Sequence, residues 1–83
     1  MSPTEYLVGE LLAARRRLGE TWWTLRNDTK PAARRLEHAG LVYLKSGIVQ
    51  GTYQARLTPD GCVEFMSPTY VPPIVEDDVE DDL

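Results

Sequence analysis

The chain has 83 residues, of which 42% are hydrophobic, with a formal net charge of -4. A chain this short forms one small domain that buries only about 60% of its unfolded surface, so a partner subunit would add stability. The longest aliphatic runs, such as Leu11–Ala14, are far too short to span a bilayer, and the N-terminus has no basic-then-apolar signal layout.

The charges are segregated. Residues 15–56 hold all nine bases and only three acids, a net +6, whereas residues 75–83, "VEDDVEDDL", hold six acids and no base. A basic body with an acidic tail is a pattern of proteins that meet nucleic acid, although arginines on a solvated helix surface give the same count. Cys62 is the only cysteine and His38 the only histidine. They make neither an internal disulfide nor a metal set, and a reducing cytoplasm is the compartment expected.

The first element is a helix with a marked start. Ser2 caps, Pro3 takes the first helical position and Glu5 completes a Ser-x-x-Glu box. Leu7, Val8, Leu11, Leu12, Arg15 and Leu18 follow at steps of three and four and are read as one core-facing stripe, with Gly19 just past the end. "ETWWTLRN", residues 20–27, has two readings. As a strand it aligns Thr21, Trp23 and Leu25; as a short helix it aligns Trp22, Leu25 and Arg26. Two tryptophans and two threonines favour a strand that pairs with a later hairpin.

A second helix starts within "NDTKPAARRLEHAG", residues 27–40. Asn27, Asp28 and Thr29 are all good caps, and Pro31 is tolerated only in a first turn. Ala32 or Ala33, Leu36 and Ala39 are expected to face inward, and Asn27, Lys30, Arg34 and His38 outward. A hairpin follows, with Leu41–Lys45 as one strand, "SGIVQG" as the connection and "TYQARL" alternating Tyr53, Ala55 and Leu57 against Gln54 and Arg56. Thr58 and Pro59 open a short helix carrying Val63, Phe65 and Met66. Beyond it, "SPTYVPPIV" reads as extended and the acidic tail as disordered. The expected organisation is a domain over residues 1–67, a proline-rich linker over 68–75 and an acidic tail over 76–83.

"RRLEHAGLVYL", residues 34–44, resembles the junction of recognition helix and wing in MarR-type and PadR-type regulators. "RLTPDG", residues 56–61, resembles the strand-to-helix step after their wing. The resemblance covers about Asn27 to Gly61. In brevity and arginine content the chain also resembles small winged-helix proteins of actinobacterial phages. The resemblance implies an α+β winged helix-turn-helix fold: helices, a two- or three-stranded antiparallel wing and a short C-terminal helix. It implies a transcription regulator that binds double-stranded DNA, needs no cofactor and reads the major groove with the helix at about 28–39.

Carried over by position, Arg26, Asn27, Thr29, Lys30, Pro31 and Arg34 approach DNA, and Lys45 stands at the root of the wing. Asn27 and Thr29 fit a capping role equally well. Arg16 and Arg17 are assigned to phosphates. Arg35 and Arg56 are assigned equally to phosphate or to the protein's own acids. The wing tip departs from the family pattern in having no base, and Ile48 and Val49 there suggest protein contact. No long C-terminal helix follows to form a MarR-type dimer. The alternative reading is therefore a protein-interaction module on the same fold, a phage factor acting on a host regulator or polymerase. A second copy of the chain and a host protein are the other partners these readings admit. No paired-carboxylate site, nucleophile–base pair or phosphate-cradling glycine loop is present, so no enzyme is expected.

Overall fold

The structure, a computed structural model, describes residues 1–71. The acidic tail and residues 72–75 of the proline-rich linker lie outside the described residues. The element order is α1 (Pro3–Arg17), β1 (Trp23–Arg26), a 3-10 turn (Asn27–Thr29), α2 (Lys30–His38), β2 (Val42–Ser46), β3 (Thr52–Leu57) and α3 (Pro59–Met66). The chain is thus α+β, with three α-helices and one three-stranded antiparallel sheet in the order β1-β3-β2. No described helix is long and apolar enough to cross a membrane.

The strand reading of "ETWWTLRN" holds over Trp23–Arg26, which pairs with β3 in the register Trp23↔Ala55 and Leu25↔Tyr53. β2 pairs with the other edge of β3, Val42 opposite Leu57 and Leu44 opposite Ala55. Alternation along β3 then decides the faces. Tyr53, Ala55 and Leu57 point into the core, and Gln54 and Arg56 point out. The helices cover the inner face, and Val8, Leu12, Ala33, Leu36 and Phe65 complete the core.

Local chemistry sets the helix ends. Ser2 Oγ accepts from Glu5 N–H and Glu5 Oε1 accepts from Ser2 N–H, each at 3.2 Å, so the capping box forms. Gly40, at φ 78°, turns the chain out of α2, a conformation that L side chains rarely adopt. Thr58 Oγ1 accepts from Gly61 N–H at 2.9 Å and caps α3.

Several expectations need correction. The buried face of α1 is Glu5, Val8, Gly9, Leu12 and Ala13, while Leu7 and Leu18 stay exposed. Phe65 seats against Gly9, where a Cβ would fall 2.2 Å from the ring, and this close approach turns the face of α1 toward α3. Ala39 is exposed at the C-cap of α2, and Val63 is exposed because Gly61 and Phe65 take the inward side of α3. Ser67–Tyr70 is a turn rather than an extended start to a linker. Tyr70 N–H donates to Ser67 C=O, and its ring meets Phe65 edge-on at 5.9 Å.

Candidate nucleic-acid interface

α2 is amphipathic by residue size as well as polarity. Ala32, Ala33 and Leu36 are buried, which lets the helix sit close to α1 and the sheet. Lys30 and Arg34, four residues apart, share the opposite face. The helix is held near both ends. The Thr29 hydroxyl lies 2.6 Å from the Tyr53 hydroxyl of β3, and Arg35 Nε donates to Glu5 Oε2 of α1. Burial raises the pKa of the Tyr53 hydroxyl, a shift the Thr29 hydrogen bond partly opposes. The Arg35 hydrogen bond holds the Glu5 carboxyl below the usual carboxylate range, against the opposing effect of its burial.

A groove of about 220 Å³ runs between α2 and β2, lined by Lys30, Arg34, Glu37, Leu44, Lys45, Ser46 and Tyr53. It brings together three of the residues assigned to DNA. Lys30 and Arg34 form no salt bridge among the described residues. Lys45 lines the groove, but its ammonium stands 4.2 Å from the ring centroid of Trp22, on the outer face of the sheet. Arg56 joins it there, with its guanidinium 5.6 Å from Trp22 and 5.7 Å from Tyr43. Arg56 Nε is buried with no hydrogen-bond partner among the described residues.

The remaining predicted residues scatter. Arg26, Asn27 and Pro31 are exposed at the entry to α2. Asn27 N–H donates to Gly51 C=O at 3.0 Å, which ties this entry to the hairpin loop. The capping reading of Thr29 is not realised: its side chain makes no cap bond to α2, and its hydroxyl instead donates to Arg26 C=O at 2.9 Å. Thr29 already has αR geometry, so the 3-10 turn leads into the helix without a cap. Arg16 lines a separate groove with Glu20 and Arg56, and Arg17 another with Glu10 and Tyr70. At the hairpin tip Ile48 is 90% exposed and Val49 64%, so the tip is apolar and open to solvent.

The contacts of Arg15 and the aromatic contacts of Arg56 escaped sequence reasoning, whereas the pairing of Arg35 with an acid of the protein was one of its two readings. Arg15 grips Glu20 with two nitrogens, the Nε–Oε1 distance being 2.8 Å, and lies 3.6 Å over the Trp23 ring. Arg35 goes to the protein's own acid, Glu5, while Arg56 goes to aromatic rings. The Trp22 platform had one sequence signal: alternation turns Trp22 away from Trp23, toward the face that carries Arg56. No protein-family model matches the chain, and neither a curated protein nor a solved structure matches it.

Proposed function

We propose that this chain is a small winged-helix DNA-binding regulator in which α2 enters the major groove and the β2–β3 hairpin serves as the wing. The observation that carries this reading is the pair Lys30 and Arg34, one turn apart on the open face of α2 and unpaired with acid among the described residues. Arginine and lysine read guanine edges, and the positive N-terminal end of the helix favours a nearby phosphate. The strand order β1-β3-β2, with the hairpin following α2 directly, supports the wing assignment. Between α1 and α2 lie only β1 and one 3-10 turn, so the helix that usually precedes a recognition helix is reduced to that turn.

The test is a mobility-shift titration on promoter-containing DNA at low and high salt. Neutralising phosphates releases counterions, so affinity must fall steeply as salt rises. Absence of binding at low salt, with the acidic tail removed as well, overturns the reading. A second reading rests on the apolar tip: Ile48 and Val49 project where a minor-groove wing would carry a base, and they suit contact with a protein. A host-lysate pull-down whose partner is lost on Ile48→Asp supports it, and an unchanged partner set counts against it.

A further inference from the structure

α1 carries two apolar faces, and the fold uses one. Val8, Leu12 and Ala13 are buried, whereas Leu7, Leu11, Ala14 and Leu18 lie on the far side of the helix at steps of four, three and four. Leu7 is 61% exposed and Leu18 71%, and no described element closes over them. We propose that a second copy of this chain covers this stripe, with α1 packing antiparallel against the partner's α1.

The spacing and the charges both select that occupant. Steps of four and three are those of a coiled-coil seam, in which apolar side chains of two helices interdigitate. About a two-fold axis between Leu11 and Ala14, Leu7 meets the partner's Leu18 and Leu11 meets the partner's Ala14. Glu10 and Arg17, seven residues apart, occupy the same flank of the seam. An antiparallel pair therefore sets Glu10 against the partner's Arg17 twice, once on each side of the axis. A parallel pair would instead align the Arg15–Arg17 clusters of both chains, like charge beside like. The two side chains are available for this. Arg17 forms no salt bridge among the described residues, and Glu10 accepts from the Tyr70 hydroxyl only through Oε2, at 2.7 Å. Neither residue lines the α2 groove; Arg17 is also assigned to phosphate, so the dimer is tested by sedimentation without DNA.

Sedimentation of the full chain over a concentration series tests the proposal. The mass is expected to rise from the 9.4 kDa of one chain toward twice that value. Leu7→Asp combined with Leu18→Asp should abolish the rise while leaving circular dichroism unchanged and the unfolding midpoint equal to that of wild type at concentrations where the wild type is monomeric, because both side chains are solvent-exposed in the single chain. Arg17→Glu alone and Glu10→Lys alone should each stay monomeric, since each sets like charges across the seam. Mixing these two variants restores both opposite-charge pairs and should restore the dimer. Tyr70→Phe, which removes the internal partner of Glu10, should leave dimerisation intact. A wild-type chain that stays monomeric at every concentration overturns the proposal, as does a dimer that survives the double aspartate variant. A dimer indifferent to Arg17→Glu overturns the antiparallel seam.

Discussion

Glu5 Oε2 accepts a hydrogen bond from Nε of Arg35, joining the first turn of α1 to the second half of α2 across 30 positions of sequence. The carboxylate is the enclosed partner, its side chain 11% exposed against 56% for the guanidinium. The same carboxylate closes the capping box on Ser2, so one charge anchors two elements.

That arrangement has a pH signature. The folded-state pKa of Glu5 lies below its unfolded value of about 4.3. Its contribution to stability is therefore present above the unfolded pKa and is lost as pH falls through the folded one. Glu5→Gln keeps the capping oxygen and removes the charge. The variant should be less stable than wild type at pH 7, and the gap should close as pH falls from about 5 downward. Urea unfolding midpoints of both proteins across that range check it, and a gap that is constant with pH would show that the ion pair contributes nothing.

Gly9→Ala sets two effects of opposite sign against each other. Alanine in a helix interior gains about 1 kcal/mol over glycine. The added Cβ, however, would fall 2.2–2.5 Å from three ring carbons of Phe65, and Phe65 is fully buried. Overpacking of that kind costs ~1–3 kcal/mol, so the net change should be destabilising, with α3 displaced from α1. Urea denaturation measures the sign. In the Gly9→Ala background, Phe65→Leu should cost less than it does alone, because the smaller side chain relieves the clash.

Legibility in the sequence followed the range of the interactions. The alternation of Tyr53, Ala55 and Leu57 identified β3 and its inner face, because burial in a strand has a period of two. The Ser2–Glu5 box and the Thr58–Pro59 start are local and were read directly. The face of α1 was not legible. Apolar residues run nearly around it, and which side is buried depends on Phe65, far along the chain, seating on Gly9. The spacing of Lys30 and Arg34 marked the open face of α2. The direction of the Lys45 side chain depended on the β1–β3 register that brings Trp22 beside Arg56, which no local pattern encodes.

If α2 binds DNA as proposed, the acidic run Glu76–Asp82 should repel DNA phosphates and compete with them for the basic surface. Specific sites add base contacts that a carboxylate cannot imitate, so the competition acts mainly on non-specific binding. Deleting Glu76–Leu83 should raise affinity for random-sequence DNA. The rise should be greatest at low salt and should shrink as the screening length falls to about 10 Å near 0.1 M. The unfolding midpoint should not change. Fluorescence anisotropy on random and selected duplexes, with and without the tail, reads the difference.

The basic residues divide by where their charges stand, and binding by single variants should follow that division. Arg34 is exposed on α2 and makes no salt bridge among the described residues, so Arg34→Ala should leave folding intact. It should weaken binding to a selected site by ~1–3 kcal/mol, the loss typical of one base contact, with a smaller effect on random DNA. Arg16 and Arg17 lie in grooves separate from that of α2, where contact with phosphate carries no sequence information. Arg16→Ala and Arg17→Ala should therefore lower affinity for both duplexes alike and flatten the salt dependence. Lys45 behaves differently, because its ammonium stacks on Trp22. Lys45→Ala should cost about 0.5–1 kcal/mol of folding stability through the lost cation–π contact, while affinity for the selected site changes less than in Arg34→Ala. Anisotropy titrations on the two duplexes, beside urea denaturation of each variant, separate the three classes. Unchanged binding by a folded Arg34→Ala variant would show that α2 does not face the DNA, whatever the other cations do.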